Sequence, residues 1–81
     1  MPRHPSVAPV AKAFGDILKR HRAARCITQE ELAHNANLDV SFVSRMERGR
    51  TQPSIGILIK VAKALDTTAT KLMAEVEKAL G

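Results

Sequence analysis

A short run of serine and arginine side chains carries the most specific chemistry in this sequence. Ser41, Ser44 and Arg45 recur at helical spacing, on the side opposite Val43 and Met46. An arginine can reach two hydrogen-bond acceptors on one guanine, and a serine hydroxyl can donate to or accept from a base edge. A helix of this composition can pack its apolar side on a core and offer its polar side to nucleotide bases.

Neighbouring residues extend this candidate surface. Val40 offers an apolar contact of the size that suits a thymine methyl group. Arg48 and Arg50, at the end of the helix and in the loop after it, suit phosphate groups, and so does Gln29, near the free backbone N–H groups that open an earlier helix. The base-contacting residues predicted from the sequence are Val40, Ser41, Ser44 and Arg45.

Length and charge limit the alternatives. The 81 residues allow one small domain with little room for an active-site cleft, and their hydrophobic content of 44% is enough for a core. Thirteen Lys and Arg against eight Asp and Glu give a net charge of +5, which favours a polyanionic partner such as nucleic acid or an acidic protein surface. Exposed serines and arginines on one helix alone can also be ordinary solvated surface.

Other chemistries find little support in the sequence. No acid–base pair or nucleophile with a base is apparent, so we expect no enzymatic activity and no small-molecule substrate. A single cysteine, Cys26, and three scattered histidines do not make a metal site, and no cofactor is implied. The lone cysteine fits a reducing compartment, and no apolar run approaches the length of a membrane span. We therefore expect a cytoplasmic protein without a membrane partner.

The spacing of apolar residues predicts an all-α fold of five helices without strands. Residues 1–10 contain three prolines and are predicted to form a flexible arm, and residues 11–81 a single domain. The first predicted helix runs from Ala11 to near Arg25 or Cys26, and the second from the capping box of Thr28 and Glu31 to about Ala36. The third runs from an Asp39 cap to Gly49, the fourth from a Ser54 cap through Ile55–Leu65, and the fifth from a Thr68 cap through about Ala69–Leu80.

The second and third helices are separated only by Asn37, Leu38 and Asp39. Two short helices joined by such a turn match helix-turn-helix geometry, in which the first helix crosses the DNA backbone and the second lies in the major groove. In this arrangement the serine and arginine side of the third helix would face the base edges in the major groove.

An ordered set of motifs makes the chain resemble the lambda-repressor-like helix-turn-helix family, which includes phage Cro and repressor proteins and Xre-type regulators. The motifs are Thr28-Gln29-x-Glu31-Leu32-Ala33, then Val43-Ser44-x-Met46-Glu47-x-Gly49, then Pro53, and the resemblance runs from about Phe14 to Met73. It implies a compact five-helix domain that binds operator DNA, usually as a dimer. It also implies DNA-facing roles for Gln29, Val40, Ser41, Ser44, Arg45 and Arg50, and an ion pair between Arg22 and Glu47.

The chain departs from the family pattern at four positions. Cys26, Asn37 and Asp66 stand where the family often has glycine, and His21 stands where leucine is common. Asn and Asp adopt a left-handed backbone at modest cost, whereas Cys is less suited to it. None of these four positions belongs to the proposed DNA-facing residues.

The last two helices carry more apolar residues than one core-facing stripe needs. Surplus apolar surface often marks an interface. We therefore predict a two-fold homodimer, with the alternative that the chain is a monomer whose long fifth helix folds back on its own core. The predicted dimer residues are Ile57, Ile59, Met73, Val76 and Leu80.

The resulting functional hypothesis is a sequence-specific transcriptional regulator that acts as a dimer on palindromic double-stranded operator DNA. Autoregulation, as by phage repressors or restriction–modification controller proteins, is the expected mode for so small a chain. The alternative is an antitoxin-type module that binds a protein partner as well as its own promoter.

Overall fold

Residues 8–81 are described by the computed structural model, and they form five α-helices with no strand between them. The helices are joined by short loops, and the predicted all-α fold is confirmed. In chain order they are α1 (Ala8–Ala24), α2 (Gln29–Ala36), α3 (Val40–Glu47), α4 (Ile55–Ala64) and α5 (Ala69–Leu80).

The first helix begins at Ala8, three residues before the predicted Ala11. Pro9 lies in its first turn, where backbone N–H groups have no partner within the helix, so the missing N–H of proline removes no hydrogen bond. The predicted arm over residues 1–10 is therefore wrong for residues 8–10, which are helical. The rest of that arm, residues 1–7, lies outside the described residues.

The predicted starts of α2, α4 and α5 are confirmed by their side-chain caps. Thr28 and Glu31 form both bonds of the capping box, while Ser54 and Thr68 accept hydrogen bonds from backbone N–H groups three residues on. Asp39 occupies the N-cap position of α3, but its side chain makes no capping hydrogen bond. The start of α3 was placed correctly, and the expected cap bond is absent.

Left-handed residues end four of the helices. Cys26, Asn37 and Asp66 have φ angles of 57°, 56° and 56°, and Gly49 has 72°. The family resemblance implies glycine at the three non-glycine positions, and the backbone there keeps the turn that glycine would adopt most easily. Helix α3 itself ends at Glu47, two residues before the predicted stop at Gly49.

The core is aliphatic apart from Phe14 and lies between all five helices. It includes the residues expected to face inward on α2 and α3, so the inward side of α3 is confirmed. Its most completely buried side chains are Ile17, Leu18, Leu32, Val43, Met46, Val61, Leu65, Leu72 and Val76. At its edge, His21 Nε2 on α1 lies 2.9 and 3.1 Å from the two carboxylate oxygens of Glu75 on α5. This contact ties the first helix to the last.

Helices α1 and α3 meet at backbone distance. A methyl group added to Gly15 on α1 would lie 2.3 Å from the carbonyl oxygen of Met46 and 2.9 Å from that of Glu47. Real side-chain carbons do not approach backbone oxygens so closely, so only glycine allows the observed crossing. The position of α3 against α1 therefore depends on a single missing side chain.

Replacing Gly15 with alanine should destabilise the fold by about 1–3 kcal/mol, because the added methyl group must push α1 away from α3. The loss should appear despite the roughly 1 kcal/mol by which alanine favours a helix over glycine. Urea unfolding of the purified variant measures this change.

Gly56→Ala on α4 is the matched control. Gly56 is exposed, and an added methyl group would have only Ser54 Oγ, at 4.0 Å, within reach. Its unfolding free energy should stay the same or rise slightly. Equal stability of the Gly15→Ala and Gly56→Ala variants would contradict the close crossing of α1 and α3.

Candidate nucleic-acid interface

One side of α3 is open to solvent and polar apart from its first residue. Val40, Ser41 and Arg45 are exposed and Ser44 is half-buried. We call these four residues the α3 polar face. At 3.6 residues per turn they cover roughly 140° of the helix circumference. The opposite side of α3 is in the core, so the helix cannot rotate to exchange its faces.

Two further arginines follow the α3 polar face toward the loop. Arg48 and Arg50 are exposed, and Arg48 Nε lies 3.4 Å from the carbonyl oxygen of Ser44, a long hydrogen bond. The left-handed Gly49 turns the chain so that the backbone N–H of Arg50 donates to the carbonyl oxygen of Arg45 at 2.9 Å. Arg50 thereby stays beside the end of α3.

A buried ion pair fixes the position of α3 against α1. Arg22 Nε donates to Glu47 Oε2 at 2.6 Å, and Arg22 Nη2 donates to Oε1 at 2.9 Å. Only 3% of the Glu47 side chain and 17% of the Arg22 side chain are exposed. A third donor of the guanidinium, Nη1, bonds the carbonyl oxygen of Ile27 at 2.9 Å. The pair implied by the family resemblance is therefore present, and it is buried.

Gln29 belongs to the same network. Its Nε2 donates to Glu47 Oε1 at 3.0 Å, which joins the first turn of α2 to the last turn of α3. We predicted a phosphate contact for Gln29, and the structure adds a bracing role. The half-buried side chain still stands at the N-terminus of α2, where backbone N–H groups favour anions.

The electrostatics of the pair follow from this geometry. Burial alone would raise the pKa of Glu47. The hydrogen bonds from Arg22 and Gln29, together with the positive charges of Arg22 and Lys19, have a larger effect in the opposite direction, so the pKa of Glu47 lies below its usual value. The hydrogen bond to Glu47 raises the pKa of Arg22. Both groups are therefore ionised at neutral pH.

The predicted dimer residues are not gathered into one patch. Val76 is 1% exposed and lies in the core, so its assignment to a dimer contact is wrong. It belongs to the core cluster together with buried residues of α1 and α4. Ile57 is half-buried and borders a depression beside Phe42 and Arg45. Leu80 is 46% exposed and borders a second depression, which residues of α1 also line. Ile59 and Met73 are exposed, as a dimer contact requires.

Sequence reasoning missed the most exposed large hydrophobic side chain among the described residues. Ile55 is 78% exposed at the start of α4. It borders an open apolar groove between α1, the loop before α4, and α5. The groove residues are Val10, Phe14, Gln52, Pro53, Ile55, Leu58, Met73 and Val76. Helix α4 is apolar on most sides, so its pattern alone could not show which side remained uncovered.

Two further residues escaped the sequence analysis. Gly15 was not assigned a role, although a glycine inside a helical pattern is itself a signal of close packing. Phe42 was not assigned a role, yet its ring lies 5.5 Å from the guanidinium carbon of Arg45. The spacing of these two residues, three apart on one helix, was the available signal.

Among residues 8–81, no helix is long and apolar enough to cross a membrane. Within the same range, no group of three or more His, Cys, Asp or Glu side chains could hold a metal ion.

A helix-turn-helix family model matches residues 18–72, which is more than half of the chain. The chain therefore belongs to the lambda-repressor-like, Xre-type helix-turn-helix family, as its motifs indicated.

Curated relatives include regulators of two kinds. The chain is 38% identical over 61 residues to the immunity repressor protein of Bacillus phage phi105, covering 75% of this chain and 42% of the repressor. It is 32% identical over 66 residues to the control protein C.MunI of a Mycoplasma species, covering 80% of this chain and 89% of that protein. The chain spans between a quarter and about half of the length of the first curated relatives that it matches.

Solved structures agree with this assignment. The clp gene regulator ClgR from Corynebacterium glutamicum is similar with a TM-score of 0.83 and 28% identity, over 88% of this chain and 76% of that one. The restriction–modification controller protein C.Esp1396I, solved as a tetramer with its natural 35 base-pair operator, has a TM-score of 0.78 and 25% identity, over 88% of this chain and 93% of that one.

The Arg22–Glu47 pair makes stability depend on pH in a defined direction. Because the pKa of Glu47 is lower in the folded chain, its carboxylate stabilises the fold above the unfolded-state pKa of about 4.3, and this stabilisation is lost as the pH falls through the lower, folded-state pKa. The gap in unfolding free energy between wild type and Glu47→Gln should therefore stay constant above roughly pH 5 and narrow below it. Urea unfolding at a series of pH values measures the gap.

Glu77→Gln controls for the loss of one negative charge. Glu77 is exposed on α5 and has no ion pair or hydrogen bond of its side chain within the described residues. Two results would contradict a stabilising buried carboxylate. One is a difference in unfolding free energy between wild type and Glu47→Gln that grows as the pH falls. The other is a difference equal, at every pH, to that between wild type and Glu77→Gln.

Proposed function

We propose that this protein is a sequence-specific, DNA-binding transcriptional regulator that acts as a homodimer on a palindromic operator. The observation that carries the proposal is the α3 polar face, exposed on a helix that the buried Arg22–Glu47 pair holds in place. The side chains of Ser41, Ser44 and Arg45 form no hydrogen bond or ion pair within residues 8–81, so they are suited to hydrogen bonding with an external partner. The net charge of +5 favours a polyanion as that partner.

In the proposed complex α3 lies in the major groove. Arg45 would donate two hydrogen bonds to a guanine, Ser41 and Ser44 would bond base edges, and Val40 would contact a thymine methyl group. Arg48, Arg50 and Gln29 flank this face and would bind phosphates, which fixes the register of the protein on the duplex without reading sequence.

A dimer is part of the proposal because one short helix supplies few base contacts. Two copies related by a two-fold axis read two half-sites about one helical turn apart, which makes the operator a near-palindrome. The exposed Ile55 and Met73 at the apolar groove support an interface there, with Ile59 on the same helix as Ile55. Burying such apolar surface against a second copy is favourable in water.

Autoregulation completes the proposal. A phage repressor and restriction–modification controller proteins are among the relatives, and one controller was solved on its natural operator. A small regulator of this type would respond to its own concentration through dimerisation and operator arrangement. A location in the cytoplasm and the absence of enzymatic activity belong to the same proposal.

Iterative selection of the purified protein against random duplex DNA, followed by sequencing, tests the function. The expected result is enrichment of an inverted repeat whose half-sites are about one helical turn apart. Arg45→Ala should lose preference at one base pair per half-site while wild type keeps it. Absence of any enriched sequence at low salt would reject base recognition by the α3 polar face.

The dimer can be tested through Ile55. Ile55→Glu places a charge at the proposed interface, so sedimentation should show a shift from dimer toward monomer at concentrations where wild type is dimeric. The substitution should not harm folding, because an acidic residue in the first turn of α4 is favoured by the helix dipole, and that turn has no acidic residue now.

Ala74→Glu is the control for this prediction. Ala74 is exposed on α5 and does not border the groove, so the same charge there should leave the dimer intact. A monomeric wild type at high micromolar concentration, or equal dimerisation of both variants, would contradict an interface at Ile55.

A further inference from the structure

The ring of Phe42 lies between the core and the exposed arginine of the α3 polar face. Its side chain is half-buried and packs against the core cluster, and it shares a surface depression with Leu38 and Ile57. The guanidinium carbon of Arg45 is 5.5 Å from the centroid of this ring, within the range of a cation–π contact. The ring is held by its packing, whereas Arg45 reaches into solvent.

Among residues 8–81, Arg45 has no side-chain hydrogen bond or ion pair that would order it. Its guanidinium contacts the ring of Phe42 instead. A free arginine samples many rotamers, and this freedom must be lost when it forms two hydrogen bonds to one base. A ring that already restrains the side chain reduces that loss.

The contact also leaves the hydrogen-bonding edge of Arg45 available. The face of a ring attracts the positive charge of the guanidinium and supplies no oxygen acceptor for its five N–H donors. An ion pair with a neighbouring carboxylate would restrain the arginine equally well, but it would occupy the same donors that a guanine needs. An aromatic ring is therefore the neighbour that orders Arg45 without competing with a base.

We propose that Phe42 is a positioning residue for base recognition, which acts by holding the guanidinium of Arg45 in the orientation that binds guanine. This inference rests on the proposed function, and it assigns to Phe42 a role in specificity that its position at the edge of the core does not by itself require.

The test is a double-mutant cycle on the full chain. It compares the affinity of each protein for two DNA sites, and the ratio of the two affinities is its discrimination. One site is the sequence that the wild type selects, and the other differs from it at the base pair for which Arg45→Ala has lost its preference. Phe42→Leu keeps an apolar side chain of similar size without a ring, and Phe42→Tyr keeps the ring. Phe42→Leu should reduce discrimination between the two sites by about two- to fivefold, the range of an exposed cation–π contact. Phe42→Tyr should discriminate like wild type.

The Arg45→Ala background separates positioning from direct contact. If Phe42 acts through Arg45, Phe42→Leu should change discrimination little once Arg45 is alanine. An equal loss in both backgrounds would mean that Phe42 touches the DNA itself, and would overturn the inference. The inference would also be overturned if Phe42→Leu, with Arg45 present, discriminated between the two sites as well as wild type does. In either case the proposed function would still hold if the wild type selects a DNA site.

A second readout needs no DNA. Nitrogen-15 relaxation of the Arg45 Nε–H group in the free protein should show greater mobility in Phe42→Leu than in wild type or Phe42→Tyr. Equal mobility in all three proteins would contradict the restraint, even if binding changed. Thermal unfolding of the same samples shows whether Phe42→Leu remains folded, and a wild type that discriminates between no DNA sites would reject the proposed function and this inference together.

Discussion

The buried bond between Arg22 and Glu47 is the interaction on which the position of α3 depends. It joins α1 to α3 directly, and through Ile27 and Gln29 it reaches the loop before α2 and the first turn of α2. Removing one partner of such a pair leaves a buried charge, which typically costs about 3–5 kcal/mol, whereas a whole pair adds little net stability. Its main effect is therefore to specify one arrangement of three helices. The absence of a side chain at Gly15 allows the same arrangement, because α1 and α3 could not otherwise meet at backbone distance.

With α3 held in this position, one side of the helix packs in the core and the other side is exposed to solvent. Val43 and Met46 are fully buried, so the helix can neither rotate nor withdraw. The serines and Arg45 on the other side are presented as a fixed array, which is what hydrogen bonding to base edges requires, because the pattern of donors and acceptors must match in space. The phosphate-binding candidates come from the ends of α2 and α3, which the Glu47 carboxylate ties together.

Much of this could be predicted from the sequence, because it depends on local chemistry. Capping residues such as Thr28 and the 3.6-residue period of the apolar side chains located the helices, and the family resemblance implied the Arg22–Glu47 pair. What could not be predicted depends on contacts between distant segments. The crossing at Gly15, the burial of Val76 and the exposure of Ile55 follow from how α1, α4 and α5 pack, and α4 is too uniformly apolar for its pattern to show which side stays open.

The proposed function requires that the α3 polar face and its flanking residues bind DNA. Titration of nitrogen-15-labelled protein with a short duplex at low salt, followed by amide chemical shifts, tests it most directly. We expect the largest amide chemical-shift changes over residues 40–50 and at the first turn of α2, with smaller changes over most of α4 and α5. Large changes confined to α4 and α5, with α3 unaffected, would contradict it.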